Sequence, residues 1–187
     1  MPVEEGARFG FVGNPGVVGF RVPPTSFDWD YDIWFEPHVE LGFWWDRAHP
    51  GPFSWHPVEP EKGRYVFTKS DRYVREAQER GIQILATIWP FVDWDQDYWK
   101  SQPGWQPSRG FEQELPTSRY KPHDTEAYQR FVKRLVERYD GDGQDDIPGL
   151  LYPIKYWEAL LGVPLIGIHS AHYLASSLWG KLYWQVV

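Results

Sequence analysis

The sequence predicts an α/β fold with a parallel sheet, on three observations. The run "IQILATIW" (82–89) is almost continuously apolar and is ended by Pro90, the pattern of a strand buried on both faces. In 124–139, Tyr128, Phe131, Val132, Leu135, Val136 and Tyr139 fall at helical spacing on one side. Around these two, strand-like and helix-like runs alternate, which argues for parallel strands joined by right-handed crossovers.

Taken in order, "VVGFRV" (17–22) is a candidate first strand, and "YDIWFEPHVELG" (31–42) a first helix that Pro37 weakens. "FWWDRAH" (43–49) reads as a second strand, and 50–67 as a long ordered loop. A second helix starts near Thr68, with Asp71 three residues on as a capping-box pattern and Gly81 as its C-terminal stop. Val74 and Ala77 give it a short apolar face, and Glu76 and Arg80 are spaced for an i,i+4 pair. Asp124 or Thr125 caps the third helix, and "IKYW" (154–157) is the fourth strand.

Composition narrows the partners. Net charge is −7, so nucleic acid is not expected as a partner. With no cysteine there is neither a disulfide framework nor thiol chemistry. No apolar run approaches membrane-spanning length, so no membrane partner is expected. The opening "MPVEEGARFG" lacks the basic and apolar regions of a signal peptide, which leaves the cytoplasm as the default location. Twelve Trp are the unusual feature, and many stand among Asp, Gln, Pro and Gly, as in "DWDQDYWKSQPGW". Flat aromatic faces beside polar side chains suit sugars; the alternative is a large aromatic core.

In parallel α/β folds the segments leaving the C-terminal strand ends build the site. Here they begin at Arg47–His49, at Trp89–Gln96 and after Trp157. Arg47, His49, Trp55, Trp89, Asp93, Trp94 and Gln96 are the candidate saccharide contacts, all but Trp55 expected on one concave face. For any one of them the alternative is a solvated loop residue or a structural ion-pair partner. In "YDGDGQDDIPG", Asp140, Asp142 and Asp145 form an oxygen-rich candidate calcium loop, although the EF-hand order is not met. A solvated turn is the competing reading, and no cofactor is expected.

The segment "WDRAHPGPFSWHPVEPEKGRYVFTKSDRYVREAQERGIQILATIWP" resembles the retaining TIM-barrel glycoside hydrolases, the clan of cellulases, β-galactosidases and β-xylosidases. The matching features are Arg47, Trp55, Glu59–Pro60, Gly63, Tyr65 with Phe67, and Asp71, and "IKYWE" resembles the clan's fourth strand, so the likeness spans about residues 40–158. It implies a partial (β/α)8 barrel of about four βα units, with 1–158 as its N-terminal half and 159–187 as an atypical tail. The stretch "VEPEKGRYVF" reads as architectural, since Pro60 and Gly63 shape a reversal that Tyr65 and Phe67 pin down.

The resemblance also implies an Asn and an acid/base Glu beyond "YWE", and Leu161 and Gly162 stand there instead. Glu158 remains as the one candidate catalytic carboxylate, matching the first glutamate of the pattern rather than the acid. The nucleophile belongs to a seventh strand, and four are expected here. The tail has no counterpart in the clan, and a frame change near codon 159 or a truncated reading frame accounts for both departures. His169 and His172 lie in that tail at a spacing able to bind metal on a helix. The expected function is an N-terminal glycoside hydrolase fragment, inactive alone. The alternatives are a non-catalytic carbohydrate-binding protein and a half-barrel that self-associates or pairs with a chain supplying the rest.

Overall fold

The computed structural model describes residues 11–13, 31–48, 51–108 and 115–159. The expected strand at 17–22, His49, Leu161, Gly162, His169, His172 and the tail from residue 160 lie outside these. The elements run β1 (Phe11–Gly13), α1 (Tyr31–Glu40), β2 (Trp45–Ala48), α2 (Trp55–Val58), α3 (Thr68–Glu79), β3 (Gln83–Ile88), α4 (Asp93–Lys100), α5 (Thr125–Glu137) and β4 (Tyr156–Ala159). The four strands form one sheet in the order β1-β2-β3-β4, every neighbouring pair parallel. This is the expected parallel α/β arrangement. Among the described residues no helix is long and apolar enough to cross a membrane.

The sheet's two faces differ because side chains alternate along a strand. On β3, Ile84, Ala86 and Ile88 are buried in the main core. There they join Phe35 of α1, Tyr73, Val74 and Ala77 of α3, and Phe131 and Leu135 of α5. Asp46 of β2 points into the same layer, where Tyr73 Oη donates to its Oδ2 and His38 Nε2 stands 3.5 Å from its Oδ1. The adjacent residue, Arg47, therefore projects from the opposite face.

Helix α1 accommodates Pro37 and closes on Gly42 at φ +73°, where Phe43 N–H donates to His38 O at 2.7 Å. In α3 the expected capping box does not form. Phe67 occupies the cap position, and no side chain bonds the free N–H groups there. Asp71 is committed elsewhere: Arg138 Nε and Nη2 donate to its two oxygens at 2.7 and 2.6 Å, and Tyr139 Oη donates at 2.8 Å. A carboxylate with a bidentate arginine is held more strongly than by a capping bond. The Glu76–Arg80 pair does form, at 2.8 Å, and Gly81 has the left-handed φ of +74° that the stop requires. At α5, Asp124 is the cap, accepting from Ala127 N–H at 2.9 Å.

Two helices sit where the sequence reads as loop. The short α2 interrupts 50–67, and α4 begins at Asp93. Asp93 and Asp95 lie in the first turn of α4 and Lys100 in its last, which complements the helix dipole. The architectural reading of 58–67 agrees with the packing. Glu59 is buried and accepts from Trp55 Nε1 and Gly63 N–H, both at 2.6 Å. Tyr65 and Phe67 stack, with Arg134 over the first ring and Arg138 over the second.

Candidate functional site

Arg47 on β2 and Glu158 on β4 leave the strands that flank β3. Their side chains reach over β3 and meet, with Arg47 Nη2 and Nε at 2.5 and 2.7 Å from Glu158 Oε2. Thr87, paired in register with Glu158, donates to the same oxygen at 3.3 Å. Three adjacent parallel strands thus deliver a guanidinium, a hydroxyl and a carboxylate to one point near their C-terminal ends. Arg47 and Glu158 are 18% and 25% exposed, so the cluster is reachable from solvent.

Two residues earlier on the flanking strands, Trp45 and Tyr156 meet edge to face at 5.1 Å. The face opposite the helices therefore carries two tiers, an aromatic one and then a charged one. Its lower tier is incompletely covered, with Tyr156 53% exposed.

The other sequence candidates fall into different surroundings. Trp55 is fully buried, stacked on Phe131 at 5.7 Å, and its backbone N–H donates to Trp89 O. Gln96 is also fully buried: its Oε1 accepts from Tyr120 N–H and Ser118 Oγ, and its Nε2 donates to Tyr120 O. Trp89 is buried in a small cluster with Phe91 and Leu115. These three side chains are enclosed by the protein in this fold. Sequence alone placed them near strand ends but could not tell a loop tryptophan from one sealed under a loop.

Asp93 is half exposed, with His56 Nδ1 at 3.7 Å and Lys100 Nζ at 3.2 Å. Burial lowers the His56 pKa, and the Asp93 carboxylate offsets part of that shift. Trp94 is partly buried, and its Nε1 donates to Glu59 O at 3.0 Å. So Arg47 groups with Thr87 and Glu158, while Asp93 and Trp94 belong to the contacts of α2 and α4. Thr87 is the residue that sequence reading missed at the cluster. Its signal was the one hydroxyl in an otherwise apolar run.

The described residues also form an open depression of about 580 Å³ whose lining includes Lys62, Trp94, Asp95, Tyr98 and His123 but none of the strand-end trio. In the acidic loop, carboxylate oxygens of Glu137, Asp140 and Asp142 lie within 4.8 Å of one another. Glu137 thus stands where Asp145 was expected. Asp145 instead adopts φ +51° in a turn where Asp142 accepts from Gln144 N–H and Asp146 from Gly141 and Gly143 N–H. Burial raises the Asp140 pKa, with Asp142 and Asp146 adding to it.

No family model matches the sequence, and neither does any curated protein. Among solved structures, the chain is similar to the crystal structure of β-galactosidase from the psychrophilic Marinomonas ef1. Identity is 20%, the TM-score is 0.46, and the match covers 70% of this chain and 20% of that one. The chain therefore spans about a fifth of the length of that structure.

Proposed function

We propose that this chain is the N-terminal half of a retaining (β/α)8-barrel glycoside hydrolase, which holds saccharide at the strand ends and does not turn it over alone. The observation that carries the reading is the convergence of Arg47, Thr87 and Glu158 from three adjacent parallel strands. In barrels of this kind, chemistry sits at the C-terminal strand ends over stacked tiers of inward side chains. The Trp45–Tyr156 and Arg47–Glu158 pairs have that tiered form. The motif likeness over residues 40–158 supplies the reaction class. In this reading residues 1–158 are the half-barrel and 159–187 a separate tail.

Arg47 and Glu158 offer a donor and an acceptor to sugar hydroxyls. A retaining mechanism needs two carboxyl groups about 5–5.5 Å apart, one to protonate the leaving oxygen and one to attack the anomeric carbon. Glu158 cannot fill both roles, and Gly162 stands where the family likeness places the acid. A second reading, a half-barrel that assembles with a chain bearing the remaining strands, is favoured by the incompletely covered face around Tyr156.

The test is titration with galactose, glucose and xylose followed at the Thr87 and Glu158 backbone amides. Saturable shifts that disappear in Arg47→Met support the reading. No response to any of the three sugars overturns it.

A further inference from the structure

A second concavity lies away from the strand-end trio. It is an open depression of about 580 Å³ between α4 and the start of α5. Its lining combines Trp94 and Tyr98 of α4, His123 and Asp124 before α5, Lys62 from the 58–67 loop, and Asp95. Trp94 is fixed in place: Nε1 donates to Glu59 O, and the indole meets Trp55 edge-on at 5.1 Å. Tyr98 is 42% exposed and backed on one face by the His123 ring, parallel at 3.6 Å. The Lys62 ammonium stands over the Trp94 ring at 5.6 Å, so a ligand there shares that ring with a cation, while Tyr98 offers its exposed surface beside it.

The charges define what fits. Asp95, Asp124 and Glu126 line it with Lys62, so carboxylates outnumber the ammonium and an anion is disfavoured. A metal or amine is disfavoured too, because the inner carboxylates are already supplied with donors. Asp95 accepts from the His123 and Asp124 N–H groups, and Asp124 accepts from Ala127 N–H and Lys62 Nζ. A neutral ligand with apolar C–H faces and a rim of hydroxyls suits both the flat rings and the hydrogen-bonding edge. We propose that this depression is a second saccharide site, taking a neutral disaccharide unit, separate from the strand-end cluster. It shares the ligand class of the function proposed above but uses none of the same side chains.

The experiment is titration of the intact chain with lactose, cellobiose and xylobiose, followed at the Trp94 indole N–H by NMR. Inorganic phosphate and putrescine serve as charged controls. At least one disaccharide is expected to shift the Trp94 resonance saturably. Tyr98→Ala and His123→Ala are each expected to weaken it about tenfold, the worth of one stacking surface. Each substitution removes the Tyr98–His123 stack, while the hydrogen bond from the His123 backbone N–H to Asp95 is kept. Arg47→Met is expected to leave the response intact. The proposal is overturned if no disaccharide moves Trp94, if phosphate or putrescine moves it more strongly, or if Arg47→Met abolishes the shift while Tyr98→Ala does not. Shifts confined to Thr87 and Glu158 overturn it while leaving the strand-end reading standing.

Discussion

Arg47 Nη2 lies 2.5 Å from Glu158 Oε2 although their strands are not neighbours; β3 runs between them. The pair acts as a brace across the top of the sheet, anchored midway by Thr87. Removing either partner leaves a mostly buried charge without its counterpart. Arg47→Met and Glu158→Gln are each expected to cost about 1–3 kcal/mol in urea unfolding. The double substitution should cost less than the sum, and additivity within error would show the contact contributes nothing.

Asp71 carries a second network. Asp71→Ala strands Arg138 and removes the acceptor for Tyr139, for an expected loss of about 3 kcal/mol. Tyr139→Phe should lose about 1.5 kcal/mol, as one hydrogen bond to a charged group. Arg138→Lys should not recover wild-type stability, since an ammonium cannot reproduce the two parallel bonds. Equilibrium denaturation of the three variants checks the ranking.

The cap of α5 is separable from its ion pair. Asp124→Ala is expected to cost about 1 kcal/mol, whereas Asp124→Asn keeps the cap and should lose only a fraction of that. The Lys62 hydrogen bond, followed by the Ala127 N–H, holds the Asp124 carboxyl below its ordinary range. Stability from this group is therefore present above its unfolded value of 3.8 and lost as pH falls below it. Acid titration of unfolding midpoints for the two variants would reveal the difference.

His56 has the opposite chemistry and a higher window. Its folded pKa lies below the unfolded value of 6.5, so between the two the unfolded chain binds more protons. Stability is fully present above about 6.5 and declines as pH drops through that interval. His56→Asn should flatten the decline that sets in just below pH 6.5, where most carboxylates stay ionised. A wild-type slope unchanged in the variant would assign the decline to another group.

Release of nitrophenol from aryl β-galactoside, β-glucoside and β-xyloside is expected to stay near background. On the function proposed above, general acid–base help alone is typically worth about 10²–10⁴-fold, and Glu158 by itself cannot serve as both acid and nucleophile. On that same proposal, Leu161→Asn with Gly162→Glu should not restore turnover unless a second polypeptide supplies the remaining half-barrel. Robust activity that vanishes in a folded Glu158→Gln variant would identify Glu158 as the acid.

The parallel sheet was legible because "IQILATIW" is an almost continuous apolar run, as in a strand buried on both faces, and the 124–139 segment is an amphipathic helix able to cross between parallel strands. Helix α4 was not. Three aspartates in five residues read as loop, yet at a helix start the same charges are favourable. The Thr68–Asp71 spacing misled for a related reason: a local pattern lost to a partner 67 residues away. Trp55 and Gln96 show the limit at the site itself. Their residue types fit a sugar pocket, but burial depends on what folds over them, and that is written in segments far along the chain.

The distance between Asp71 and Arg138 sets a schedule for synthesis. Translation at about 5–20 residues per second brings Arg138 out roughly 3–13 s after Asp71. Through that interval α3 has neither the guanidinium that grips its first turn nor the backbone groups at Leu151 and Tyr152 that Gln78 later binds. The emerging chain must therefore keep its apolar α3 face from wrong contacts until α5 has cleared the ribosome. The charged residues Arg72, Arg75 and Glu79, all exposed along α3, are placed to keep it in water while it waits.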